Sequence, residues 1–145
     1  MLAVVGGELI MLSDVRAARD LGFVDAPPSG DPVRSALARL IDRTLIVAEV
    51  DRYAPPEPSR EELDRALASV RSRFADRNAY EGALERSGLT EARLRERLRD
   101  DLRIDAYLDQ RFAADTPEKR RAMIDDWIGG LRRRAEIVNL YVPPK

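Results

Sequence analysis

Apolar residues are spaced in two ways along this chain. Near both ends they run together or alternate, as in Leu2-Ala-Val-Val, Leu9-Ile-Met and Ile137-Val-Asn-Leu-Tyr-Val, which suits extended backbone. Between the ends they recur at steps of three and four, the period of one helical face. The first stretch, broken by Gly6-Gly7, predicts a tight hairpin or a bent extended segment, because the glycine pair supplies the positive φ of a two-residue turn. Ser13 is then expected to cap a short helix over roughly 14–21, with Asp14 in its first turn and Gly22 ending it. A loop at Ala26-Pro-Pro-Ser-Gly separates it from the next helix, which Asp31 caps and Pro32 opens. That helix runs to about Tyr53. Its wide stripe of Val33, Leu37, Leu40, Ile41, Leu45, Val47 and Ala48 predicts the central core helix.

Ala54-Pro-Pro-Glu-Pro stops it, since proline lacks the donor and clashes with the preceding turn. Ser59-Arg-Glu-Glu62 is a capping box for a helix to about Phe74, with a narrow stripe of Leu63, Leu67, Val70 and Phe74. A short helix over roughly 78–87 carries Tyr80, Ala83 and Leu84 and ends at Gly88. Thr90 opens a long charged helix to about Ala113, with Leu94, Leu98, Leu102, Ala106 and Phe112 on its apolar side. Thr116-Pro117 begins the last helix, whose inner face is Ile124, Trp127, Ile128, Leu131 and Ala135. Gly129-Gly130 within it costs about 1 kcal/mol per residue relative to alanine, suggesting close helix packing or a bend. Glu136 to Val142 reads as a strand. A lone strand leaves its backbone groups unpaired, so the last strand, around Ile137 to Tyr141, is expected to pair with the first, around Ala3 to Val5. The predicted fold is mainly α: a single multi-helix domain over 1–145 with a small antiparallel sheet joining the two termini. Its parts are a helical arm at 59–88, a long helix at 90–113, and a closing helix and strand at 117–142.

Composition narrows the chemistry. The 145 residues contain neither cysteine nor histidine, which removes disulfides, thiolate metal sites and the commonest general base. Charged residues make up 35% of the chain, but 25 cations against 26 anions leave a net charge of -1, without the broad positive field that nucleic acid selects. The cations are arginine except at Lys119 and Lys145, a bias that a GC-rich genome explains without a ligand. No stretch spans a bilayer. Leu2 to Leu12 is interrupted by Gly6, Gly7 and Glu8 and lacks a basic leader, so it reads neither as a transmembrane helix nor as a signal peptide. Whether a signal peptide precedes Met1 stays open.

Candidate chemistry is sparse. Glu61, Glu62 and Asp64, and Asp100, Asp101 and Asp105, offer carboxylates for acid–base work or a hard cation. They alternate with arginine at helical spacings such as Glu91/Arg95 and Arg97/Asp101, which favours solvated helix faces. Arg93, Arg97 and Arg132-Arg133-Arg134 invite phosphate, yet acids accompany the first pair and the triplet suits a helix C-terminus. Trp127 lies on an apolar stripe and reads as core. No cofactor, metal or catalytic residue is expected.

Several segments in order resemble a known family. Val4-Val-Gly-Gly-Glu-Leu-Ile-Met-Leu-Ser-Asp-Val resembles the opening of SurA-type periplasmic chaperones, with Gly6 where those chains usually carry asparagine. Leu40-Ile-Asp-Arg-Thr-Leu-Ile-Val-Ala-Glu, Ser87-Gly-Leu-Thr-Glu-Ala-Arg-Leu-Arg-Glu and the closing Trp127–Tyr141 segment are similar to that family's core helix, its long-helix entry and its closing helix and strand. The family commonly inserts parvulin-type prolyl isomerase domains before the closing helix. Here Ala113-Ala-Asp-Thr-Pro-Glu bridges directly, so the resemblance covers the chaperone core alone and implies no isomerase activity. It implies a periplasmic location and binding of unfolded or extended polypeptide, such as outer-membrane protein precursors, without catalysis. The alternatives are an assembly or scaffold module that pairs with itself, as a homodimer, or with a dedicated protein partner, and, least favoured, a prolyl isomerase. A client surface would be apolar area that folding leaves uncovered. The arm is the candidate, through Phe74, Tyr80 and Leu84, the competing reading being that these side chains pack into the interior.

Overall fold

A computed structural model of the protein describes residues 1–25 and 29–144. The two ends of the chain meet in one antiparallel sheet of β1 (Ala3–Val5), β2 (Glu8–Ile10) and β3 (Ile137–Asn139), in the order β2-β1-β3. Gly6 and Gly7 form the β1–β2 turn with φ of 54° and 88°. Ala3 pairs with Ile10 and Asn139, Val4 with Leu9 and Val138, and Val5 with Glu8 and Ile137. The expected junction of last strand and first is therefore present, extended at both ends by Gly6 N–H donating to the Glu136 carbonyl (2.9 Å) and Leu140 N–H to that of Leu2 (2.8 Å).

Among the described residues six helices follow: α1 (Leu12–Asp20), α2 (Pro32–Tyr53), α3 (Arg60–Arg71), α4 (Arg77–Ser87), α5 (Glu91–Arg111) and α6 (Pro117–Arg134). The fold is mainly helical, as the periodicity predicts. Asp31, Ser59, Asp76, Thr90 and Thr116 each accept a backbone N–H as N-cap residues. Ser13 does not cap α1. Met11 is the boundary residue, and its N–H donates to the Asp14 carboxylate (2.8 Å), so the helix starts one residue before Ser13. The expected loop at 26–30 falls partly on Ala26, Pro27 and Pro28, outside the described residues. α3 ends at Arg71 rather than near Phe74, because residues 72–76 turn the chain into α4.

α2 is the central helix, packed against α1, α5, α6 and both strands of the hairpin. Its Ala36, Leu37, Leu40 and Ile41 form the first core with Ala3, Val5, Ile10, Val15 and Ala18. Two members of the apolar stripes are exposed, Ala48 on α2 and Ala106 on α5. Val50 takes the buried position on the one helix, and Arg103 and Tyr107 on the other. Long amphipathic side chains cover more area than an alanine at a neighbouring position. α6 runs unbroken through Gly129-Gly130. A β-carbon at either glycine would meet, at ordinary contact distance, only arginine side chains of the same helix, so the pair reflects neither close packing nor a bend.

The segment 59–88 is not a free arm. α3 packs on α5, and α4 packs on α1. A second core of Leu21, Leu67, Val70, Tyr80, Ala83, Leu94 and Leu98 runs between them. Arg73, just past α3, donates to the carbonyls of Leu21 and Gly22 (2.9 and 3.2 Å) at the end of α1, where a cation suits the helix dipole.

Candidate binding groove

The capping box fixes where α3 begins: Glu62 N–H donates to the Ser59 hydroxyl (3.1 Å), while the Glu62 carboxylate accepts the Ser59 N–H (3.2 Å). From there the 63/67/70 spacing directs Leu67 and Val70 into the second core, with Leu63 half-buried beside them. The short turn after α3 carries Phe74. Asp76 then caps α4 by accepting the Ala79 N–H (2.8 Å), and the helical period sets Tyr80 and Leu84 one turn apart on one face. The result is an open groove of about 500 Å³, lined by Ala68, Phe74, Tyr80 and Leu84 and by the charged residues Arg71 and Glu91. The three residues singled out in the sequence thus line one groove.

They do not lie in it equally. Phe74 and Leu84 are half-buried. Tyr80 is 5% exposed and belongs to the second core, so for this residue the interior reading is the correct one. Phe74 and Tyr80 meet edge to face with centroids 5.8 Å apart, an arrangement that holds the Phe74 ring in place. The Tyr80 hydroxyl is buried and has no hydrogen-bond partner among the described residues. Over the groove, the Arg71 guanidinium lies 5.5 Å from the Tyr80 ring centroid and pairs with Glu91. Arg77 and Glu81 pair at 2.9 Å along the rim. An apolar floor inside a rim of balanced charge can take up bulky apolar side chains and stay soluble when vacant.

The rim was only partly legible. Arg77 and Glu81 are four apart on one helix, a spacing that announces the pair. Arg71 and Glu91 belong to different helices, and only the packing of α3 on α5 joins them. The same packing corrects the reading of the α5 charges as solvated i,i+4 pairs. Glu91 reaches Arg71 rather than Arg95, and Arg95 reaches Asp64 (3.2 Å). Arg97 and Asp101 do approach, at 3.9 Å, but Asp101 is held more closely by Arg43 (2.9 Å) on α2.

Two other clusters went unforeseen. A cleft of about 370 Å³ between β2, α1, α2 and α5 brings Arg43, Arg93 and Arg97 beside Glu8, Asp14, Glu96 and Asp100. Arg97 lies 4.1 Å from the centroid of the Phe23 ring. Burial, then the charge of Arg43, lowers its pKa to about 10. Burial raises that of Asp100. The phosphate reading of Arg93 and Arg97 therefore meets a site that also presents four carboxylates. At the far end, Arg111 sits within 6.0 Å of four ring centroids, those of Tyr53, Tyr107, Phe112 and Trp127. Trp127 packs on Tyr107 and Phe112 (5.7 and 5.3 Å), a half-buried structural role. Among the described residues no group of three or more carboxylates is placed to hold a metal ion, and no helix is long and apolar enough to cross a membrane. No match to the chain is found among protein-family models or among curated proteins.

Proposed function

We propose that the protein binds unfolded or extended polypeptide without catalysis, as the chaperone core of the SurA-type family does, in a periplasmic setting. The observation that carries this reading is the α3–α4 groove, where Phe74 and Leu84 present half-buried apolar surface inside a rim of paired charges. Apolar burial at roughly 25 cal/mol per Å² supplies the affinity. Ordering a flexible client opposes it, which sets affinity at the micromolar scale with little sequence preference. Clients such as outer-membrane protein precursors, rich in alternating aromatic residues, fit a groove of this size and polarity. The bridge 113–118 between α5 and α6 leaves no insert in which an isomerase domain would sit.

The test uses the two groove residues that are not core. Phe74→Ser and Leu84→Ser should each weaken binding of an unfolded, aromatic-rich peptide by about 5–10-fold in a fluorescence titration, the equivalent of ~1–1.4 kcal/mol. Circular dichroism on the same samples should show retained helix. A folded variant pair that binds as tightly as the parent would remove the groove from the mechanism.

A further inference from the structure

One face of the terminal sheet is covered by α2 and the first core, and the other is bare. By register Val4, Leu9 and Val138 form a row across the three strands, pointing away from the buried Ala3, Val5 and Ile10. Two residues along each strand from this row come Met11 and Leu140, continuing the same face. Leu9, Met11, Val138 and Leu140 are 59%, 41%, 46% and 48% exposed. A solvated sheet face normally alternates to polar residues at its outward positions. Here none of the five outward positions carries a charge, in a chain of which 35% is charged. Of the nine large apolar residues exposed among the described ones, seven lie in 1–12 or 137–142. The concentration at one face is therefore not the scattered exposure of an ordinary surface.

The groove and this face differ in a way that points to different occupants. The groove is rimmed by Arg71, Arg77, Glu81 and Glu91, which keep it wetted while vacant. The sheet face has no such charges among its outward residues, so it suits permanent cover. We infer that a second copy of this chain supplies it, the two sheets packing face to face about a two-fold axis. An isologous contact needs a patch complementary to itself, and a flat row of aliphatic side chains meets that condition in stacked sheets about 10 Å apart. At these exposures the seven residues present on the order of 600 Å² per copy, near the roughly 800 Å² that each partner contributes to a standard interface.

Sedimentation equilibrium on the full chain should give twice the monomer mass at roughly 100 µM, above the micromolar Kd expected of such an interface. Leu9→Lys and Val138→Lys should each raise the dimer Kd at least 10-fold with an unchanged helical spectrum, while Met123→Lys on α6 should leave it alone. Because the chain has no cysteine, a second measurement does not depend on the charged variants folding. Val138→Cys should cross-link between copies with a short bis-maleimide, and Met123→Cys should not. A monomeric parent at that concentration would overturn the inference. So would a dimer indifferent to folded Leu9→Lys and Val138→Lys, or equal cross-linking from both cysteine positions.

Discussion

Tyr141 and Asp31 are 110 positions apart, and their side chains meet at 2.5 Å, the tyrosine hydroxyl donating to the carboxylate. Asp31 also accepts the N–H groups of Val33 and Arg34 as the cap of α2 (2.9 and 3.3 Å). The Tyr141 hydroxyl first, and then these backbone donors, hold the Asp31 pKa below its ordinary value against a smaller opposing effect of desolvation. A carboxyl depressed in the folded state stabilises it above the unfolded-state pKa, and that contribution is lost as pH falls through the folded value. Tyr141→Phe should therefore lower Tm at neutral pH, and the gap from the parent should close as pH drops below about 3. Thermal melts of both proteins from pH 7 to pH 2 check this. A constant gap across the range would mean that the hydroxyl does not act through the ionised carboxylate. Sequence reasoning recognised Asp31 as a cap but gave Tyr141 no role beyond its strand, since nothing local connects the two.

At the scale of elements, α5 shows where pattern reading fails. Its apolar side was drawn through Leu94, Leu98, Leu102 and Ala106, yet the buried set continues through Arg103 and Tyr107. Arg103 is 6% exposed, and its only ion pair runs to Asp51 on α2 (2.7 Å). No hydrophobic template assigns an arginine to the interior. Its stem packs like a long aliphatic chain while the guanidinium reaches a carboxylate at the edge. Removing the partner should therefore cost more than removing the pair. Asp51→Ala leaves a buried cation without its counter-charge and should destabilise by about 2 kcal/mol, reduced from the value for fully buried pairs because Asp51 is itself solvated. Replacing both ends, Arg103→Met with Asp51→Ala, should recover most of that loss. Urea unfolding of the three proteins at constant m-value decides it, and a double variant less stable than Asp51→Ala would reverse the assignment. By contrast, the helix starts at Asp31, Ser59, Thr90 and Thr116 were legible, because a cap is a local hydrogen bond between residues two or three apart. Which helix packs on which, and hence which charges pair, is not local. That is why Arg77–Glu81 could be read from spacing while Arg71–Glu91 could not.

For the molecule as a whole, the informative feature was a shortage of partners. Two short extended segments at opposite ends of a helical chain had nothing else to pair with, so the closure of the termini followed from backbone bookkeeping rather than from any motif. The same logic locates the weak point of the fold. β1 lies between β2 and β3, and β3 brings Ile137 and Tyr141 against the first core. Deleting residues 136–145 would strip the bonds from Gly6 N–H and Leu140 N–H along with the rest of that ladder. It would also uncover Val5 and Ala3, which are 1% and 0% exposed. At about 1 kcal/mol per ladder bond, with the loss of Ile137 burial added, the deletion removes several kcal/mol from a total that for a domain is typically ~5–15 kcal/mol. Tm should fall by on the order of 10–20 °C. The loss should register in α1 and α2 as well as in the sheet, because the strands and both helices share one core. Hydrogen exchange on the truncated chain reads this directly: amides of α2 should lose protection, and a synthetic 136–145 peptide added in excess should restore part of it. A truncated chain that melts like the parent would show that β3 only rests on the fold and does not close it.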